Sequence, residues 1–289
     1  MATGFSAGID SLATVAEFTA PDCPLQLTDL TVFDVGALNL AGGDMSLRTA
    51  FEDRADRFAA VTGLNTLFVH SNLDAFFDVA SRVHNITFIQ SYAVRNGAAA
   101  HFLSGRLTDY LYSSSEPYSS TRLLNGAGGK IDDLGIMDPI LLPLISTPGL
   151  RIHSTSATLT RPEKTRLVAN YAKAPEFLNV CVGDIDLSGS DLRNCGTCFK
   201  CARTLLTLEG LGMADRFETT FDMEVWRQNR DRMIMTMYAA AGSGSVLSAG
   251  AIDAAEAAGI PMPKLKGRLR WWRSRLKPGR RLRKLVRRG

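Results

Sequence analysis

Asn194-Cys195-Gly196-Thr197-Cys198-Phe199-Lys200-Cys201 places three cysteines at two-residue spacings. Only Cys23 and Cys181 lie elsewhere. Zinc binds thiolate sulfur tetrahedrally, and four cysteines close a structural site. Two cysteines at this spacing form a knuckle whose backbone N–H groups can point at sulfur. Gly196 permits the turn, and Cys201 falls at a helix start, where the positive end of the dipole favours a thiolate. Cys181 supplies the fourth ligand from the end of a predicted strand. A shared ion would therefore tie a strand end to a helix start, and few folds satisfy that. An iron–sulfur centre is the second metal reading, and a set of buried free thiols is the plain one. Cys23, before Pro24, reads as an ordinary thiol. Metal-bound thiolates need reduced sulfur, so the expected compartment is the cytoplasm.

The chain has 289 residues, enough for one large α/β domain with appendages. Its 45% apolar content excludes global disorder. The net charge of +4 conceals a split. Thirteen of the 33 basic residues lie in 264–289, which holds no acid. The rest carries 20 basic against 29 acidic residues, a net of −9. A uniformly basic nucleic-acid coat protein is excluded. No apolar run reaches the length of roughly 18 residues that spans a bilayer. Met1-Ala2-Thr3-Gly4-Phe5 lacks the basic and apolar regions of a secretory signal. The chain begins almost on its first loop, so the expectation is either a reading frame that starts further upstream or the loss of an upstream segment.

Short apolar runs alternate with amphipathic stretches, the α/β pattern. Strands are predicted at 3–6, 30–35, 66–70, 109–113, 150–154 and 178–182. Helices are predicted at 11–19, 46–62, 91–104, 162–172, 201–211 and 224–239. Gly242-Ser243-Gly244-Ser245 then precedes an Ala-rich helix, Pro261, Pro263 and the basic tail.

Ser6-Ala7-Gly8-Ile9-Asp10-Ser11 follows the first predicted strand and opens a helix. Helix N-termini expose unpaired N–H groups that suit phosphate oxygens. Gly8 allows close approach, and Ser6 and Ser11 add hydroxyls. Asp10 would repel phosphate unless it caps the helix or engages Mg²⁺. A plain helix-start turn is the alternative. The segment is not a Walker A loop, which needs a Lys after its last Gly.

The loop resembles the Ser-Gly-Gly-x-Asp-Ser segment of the PP-loop ATP pyrophosphatases. It departs at Ala7, where that family usually has Gly; the methyl is tolerable where the local φ is negative. With Cys181 and Cys-Gly-x-Cys-x-x-Cys downstream, the chain is similar to 7-cyano-7-deazaguanine synthase and its relatives. Residues 194–209 also resemble a PP-loop subgroup that carries an Asp-Pro before a Leu-rich helix and a Thr-Arg-x-Glu-Lys-Thr segment. Here these are Asp138-Pro139 and Thr160-Arg161-Pro162-Glu163-Lys164-Thr165. The resemblance covers roughly residues 3–212. It implies an adenine-nucleotide α-hydrolase (HUP) fold: a parallel sheet sandwiched by helices, with a four-Cys zinc knuckle and here a small helical C-terminal extension. It also implies an ATP-dependent, AMP- and pyrophosphate-forming ligase with Mg²⁺, acting on a small-molecule substrate. A carboxylate or amide-like oxygen would be adenylylated, then displaced by a nitrogen or sulfur nucleophile. A tRNA-thiolation enzyme and a non-catalytic nucleotide-binding protein are the alternatives.

Pro162 and Glu163 read as a helix start. Arg161 and Lys164 are either phosphate-holding cations or a surface ion pair. His70 ends a strand, where α/β sheets bind ligands. His101 lies among small residues that point to helix packing, and Ser113-Ser114-Ser115-Glu116 offers a substrate loop. Asp138 reads as a turn residue. Trp226, Met223, Met233, Met235 and Met237 read as core. The expected organisation is a nucleotide-binding domain over 1–215, a helical extension over 216–260 and a basic amphipathic tail over 261–289. In the tail Leu265, Leu269, Trp272 and Leu276 form one stripe, flanked by Trp271. That stripe suits an anionic membrane surface, here the inner one, or RNA; a solvated or docked tail is the plain reading. A homodimer is left open.

Overall fold

A computed structural model describes residues 1–36, 46–73, 75–77, 87–121, 133–181 and 193–263. Its elements are β1 (Ala2–Gly4), α1 (Ile9–Phe18), β2 (Asp29–Asp34), α2 (Ser46–Thr62), β3 (Asn65–His70), α3 (Tyr92–His101), β4 (Asp109–Ser113), α4 (Asp138–Leu144) and β5 (Arg151–Thr155). Then follow α5 (Arg161–Asn170), α6 (Ala174–Phe177), α7 (Phe199–Gly210), α8 (Met223–Gly242) and α9 (Val246–Ala257). The basic tail, with its Leu and Trp stripe, lies outside the described residues. No helix among the described residues is long and apolar enough to cross a membrane.

The five strands form one sheet in the order β3-β2-β1-β4-β5, parallel throughout. β1 is short, yet it is central. Ala2 aligns with Asp29 on one side and Tyr110 on the other. β2 is buried along its whole length, as a strand covered on both faces must be.

Alternation along the strands divides two cores. Leu30, Val32 and Leu111 face a large cluster with α1, α2, α5, α6, α7, α8 and α9. Phe33, Val35, Tyr110 and Tyr112 face the other side, with Ala93 and Ala99 of α3 and Leu142 of α4. The architecture is helix–sheet–helix. The 216–260 helices complete the larger core: Trp226, Ile234 and Ile252 are buried in it. Met223, Met233 and Met237 join them there as expected, while Met235 stays half-buried. Small residues in α3 pack against α4, and His101 Nε2 bonds the Ile145 carbonyl at 2.9 Å.

The order of strands sets where a ligand can enter. From β1 the chain moves outward through β2 and β3, then returns to β4 beside β1. α1 and α4, which follow β1 and β4, lie on opposite faces. A crevice therefore opens beyond the carboxyl ends of β1 and β4, the usual ligand position in open parallel sheets.

The predicted strand at 178–182 is a correction. Residues 178–181 are buried but pair with no strand. One side chain replaces the ladder. Asn194 Oδ1 accepts from the Val180 and Cys181 N–H groups at 2.7 and 3.1 Å. Its Nδ2 donates to the Leu178 and Thr220 carbonyls at 2.8 and 3.0 Å. Buried peptide groups need partners, and an amide supplies both kinds. The apolar run signalled burial, and burial here comes without sheet pairing. Asn194→Ala should lower unfolding stability by about 2–4 kcal/mol, because four buried partners lose their bonds at once. Urea unfolding followed by circular dichroism measures it; a midpoint unchanged from the parent would contradict this role.

Candidate functional site

The segment 6–11 lies at the mouth of the crevice. Gly8 is the N-cap of α1, and no side chain caps that end. Elsewhere Thr160 with Glu163, Cys198, Asp222 and Ser245 cap α5, α7, α8 and α9. Within the loop, Gly8 N–H donates to Ser6 Oγ at 3.3 Å, and Ser11 Oγ donates to the Gly8 carbonyl at 3.1 Å. Ser6 is exposed, whereas the Ala7 and Ile9 side chains are buried in the core. Those two residues can offer a ligand only backbone groups. Ala7 has φ +56, so the condition under which its methyl would be tolerable, a negative φ, is not met. A left-handed alanine costs about 1 kcal/mol. Its methyl is buried in the core, so the loop keeps a small, smooth outer surface despite the Ala.

Asp10 does not cap the helix. Its Oδ2 meets Arg161 Nη1 at 2.9 Å and its Oδ1 meets Lys164 Nζ at 3.5 Å. The pair is no surface ion pair, because the Lys164 side chain is 0% exposed. Lys164 Nζ also donates to the Ser114 carbonyl at 2.6 Å, at the end of β4. The capping box that starts α5 fixes both cations: Thr160 N–H and Oγ1 donate to Glu163 Oε2 at 2.7 and 2.6 Å.

Two further cations, on α7, feel the same charges, and the Arg203 guanidinium lies 5.0 Å over the Phe199 ring. Burial, then the Arg161 charge, pushes half-buried Arg203 down to about 10. Lys200 is exposed overall, yet its ammonium is close enough to the protein that lost hydration leads the causes lowering it, with Arg161 next. Lys164 is lowered first by burial, against the pull of Asp10. Groups that crowd one another in this way are short of negative charge. Two carboxyls are near: Asp10, and Glu116, which burial pushes up. The arrangement can bind a polyanion.

On the β4 side, Asp138 is fully buried at the start of α4. Ser114 Oγ lies 2.6 Å from Asp138 Oδ1 and 2.8 Å from the Glu116 carbonyl, both within hydrogen-bond distance. Burial, opposed by the Ser114 bond, pushes the Asp138 carboxyl up to about 7. A position that reads as a plain turn residue is thus a buried acid. Lys200 and Arg203 are also unread in the sequence as site residues. Their signal was present: they interleave with the cysteines in Cys198-Phe199-Lys200-Cys201-Ala202-Arg203.

Four cysteines are placed to hold a metal ion. The sulfurs of Cys181, Cys195, Cys198 and Cys201 all lie within 4.8 Å of one another. Cys195 and Cys201 are 3.9 Å apart, and Cys198 and Cys201 3.4 Å. Tetrahedral zinc with sulfur at about 2.3 Å puts sulfurs roughly 3.8 Å apart, so the set is compatible with zinc. The Cys198 N–H donates to Cys195 Sγ at 3.3 Å and the Cys201 N–H to Cys198 Sγ at 3.4 Å, as a knuckle requires. Gly196 has φ +71, and a Cβ there would sit 2.8 Å from the Asp222 carbonyl oxygen. Burial works against the Cys195 thiolate, but the Thr197 and Cys198 donors outweigh it and lower the thiol. Cys23 stays apart and donates to the Leu25 carbonyl.

Asp10, Arg161 and Lys164 are thus brought together with the loop, and the four cysteines with one another. His70 is not. It ends edge strand β3, two strands from β1, and its Nε2 bonds Glu52 Oε1 at 2.6 Å. No family model matches the chain, and neither a curated protein nor a solved structure matches it.

Two outcomes are expected. Elemental analysis should find about one zinc per chain, and Cys198→Ala with Cys201→Ala should remove it and lower Tm, since four thiolates close a structural site. An ordinary aspartate loses its proton near 3.8, but folded Asp138 holds it to about 7. Between those values the folded state binds more protons, so this group's stabilisation falls as pH rises. Wild-type stability relative to Asp138→Asn should drop by roughly 2–4 kcal/mol from pH 4 to pH 8. Parallel urea curves for the two proteins would contradict it.

Proposed function

We propose that the chain is an ATP-dependent enzyme of the PP-loop pyrophosphatase class, with an adenine-nucleotide α-hydrolase type of sheet. The observation that carries this reading is the meeting of Arg161 and Lys164 with Asp10 at the uncapped start of α1, at the crevice between β1 and β4, with Lys200 and Arg203 of α7 within the same field of charge. A helix N-terminus alone binds many anions. Added cations, two of them arginines able to fork onto phosphate oxygens, suit a polyphosphate.

The backbone amides of 8–11 and the Ser6 and Ser11 hydroxyls would hold the outer phosphates. Asp10 would hold Mg²⁺, which supplies charge neutralisation. A carboxylate or amide-like oxygen of a small-molecule substrate attacks the α-phosphorus, and the bond to pyrophosphate breaks. A nitrogen or sulfur nucleophile then attacks the substrate carbon, and AMP leaves with the oxygen. Negative charge grows on pyrophosphate in the first step, where Arg161, Lys164 and Arg203 stabilise it more than in the ground state. Fixed donors in a crevice act more strongly than donors in water. The four cysteines would hold a structural zinc, since four thiolates leave no open position for water.

The test needs no knowledge of the acceptor. Inorganic pyrophosphate with Mg²⁺ should bind the protein in calorimetry. Arg203→Met and Arg161→Met should each weaken it about 10- to 100-fold, the range for losing a charge-assisted hydrogen bond. With ATP and candidate substrates, AMP and pyrophosphate should appear in equal amounts, and Asp10→Ala should abolish them. Pyrophosphate affinity unchanged in both cation variants would sink the reading.

A further inference from the structure

Two buried carboxyl oxygens beside the crevice have no hydrogen-bond partner among the described residues: Asp138 Oδ2 and Glu116 Oε2. An orphaned buried polar atom costs about 1–3 kcal/mol, so such atoms cluster where something else completes them. Asp138 is the sharper case, being fully buried. Its Oδ1 lies 2.6 Å from Ser114 Oγ and 3.4 Å from Ser154 Oγ, and the Ser115 N–H also favours the ionised carboxyl, while Oδ2 has no bond of normal geometry.

The chemistry of the missing partner follows from Ser114. Its hydroxyl has one hydrogen but faces two acceptors, the Glu116 carbonyl at 2.8 Å and Asp138 Oδ1 at 2.6 Å. Both bonds are full when the Asp138 carboxyl carries a proton on Oδ1 and donates it to Ser114 Oγ, which then donates to the Glu116 carbonyl. Oδ2 is then a carbonyl-type acceptor, and its partner must be a donor. A divalent cation suits this poorly, because a protonated carboxyl is a weak ligand and the Lys164 ammonium bonds the Ser114 carbonyl next door. Ser114, bonded to Asp138 through its hydroxyl and to Lys164 Nζ through its carbonyl, links this acid to the Asp10 pair at the loop, and Glu116 follows two residues on. The neighbouring wall is close-packed and polar. Tyr92 Oη donates to Asp133 Oδ1 at 3.1 Å, and a side chain at Gly135 would collide with Tyr92 Oη and Ser115 Oγ.

We propose that Asp138 and Glu116 form the acceptor half of the site, a subsite for a ligand group that presents N–H donors, an amine or a carboxamide. The assignment rests on the nucleotide reading above and names the chemistry on its other side. Such a group would give one N–H to Asp138 Oδ2 and a second to Glu116 Oε2. Oxygen-only ligands without donors would be excluded, since they leave both oxygens unpaired.

The test uses the full chain and two small probes, methylammonium and acetamide, titrated at matched ionic strength with sodium chloride and ethyl acetate as controls. Thermal unfolding is read. At ten times Kd at least one probe should raise Tm by about 3 °C in a saturable manner. Asp138→Leu, which keeps the volume but offers no acceptor, should shift the titration at least several-fold to higher concentration, whereas Asp138→Asn, which can donate to Ser114 Oγ and still accept, should keep it. Where Asp138→Leu fails to fold, Glu116→Met, which removes the acceptor, decides by the same criterion. No saturable shift with either probe, a shift equal in wild type and the acceptor-free variant, or a shift given by Mg²⁺ alone and lost in that variant would each overturn the subsite. Pyrophosphate binding in the wild type separates the two readings. If pyrophosphate binds and the probes do not, the subsite fails alone; if pyrophosphate does not bind, the nucleotide reading fails first.

Discussion

Lys164 is a buried ammonium, and three segments of chain are arranged around it. Burying such a group without partners costs many kcal/mol, and even a paired charge seldom repays its full desolvation. Its Nζ is held by Asp10 of α1 and by the Ser114 carbonyl after β4, while its own helix α5 starts beyond β5. The ammonium therefore fixes the distance between the two sides of the crevice. Replacing it would leave Asp10 with Arg161 alone and the β4 loop without its anchor. Ser114 passes the constraint on through its hydroxyl to Asp138. A single buried cation thus touches the loop side of the crevice directly and the acid side through one serine.

The cysteine knuckle supports the same crevice from outside. Cys198 caps α7 and Cys201 lies in its first turn. Lys200 and Arg203 leave that turn beside them. The four sulfurs decide where α7 begins, and that start decides where two cations stand. Asn194 secures the other end, because its amide replaces the sheet pairing that 178–181 lacks. The Asn179 N–H in turn donates to the Ala7 carbonyl at 2.8 Å. The left-handed Ala7 is held in place by that bond and by the burial of its methyl. Knuckle and loop are one connected unit, although some 170 residues of sequence separate them.

Much of this was legible one residue at a time. Five of the predicted strands formed, because parallel strands covered on both faces read as apolar runs whatever their neighbours. The cysteine spacing was legible because a metal knuckle is a local object. Asp10, Arg161 and Lys164 were legible as chemistry, but not as contacts. The run at 178–182 misled for a physical reason: an apolar run reports burial, and burial is compatible with a ladder or with a side chain that imitates one. His70 ends the edge strand β3 and bonds Glu52, a placement that no pattern around it records.

By itself the sequence determined the period of each element, the four thiol ligands and the supply of small and charged residues at the first loop. These depend on neighbours within a few positions, or on residue types with narrow chemistry. The tertiary structure alone decided which strand stands in the centre, and hence that the loop after β1 opens into a crevice rather than onto a flank. It also decided that Asp138 is an acid without a full set of partners and that Lys164 is a buried strut. Burial and charge environment are set by chain segments more than a hundred residues apart, and no local pattern records which of them will meet.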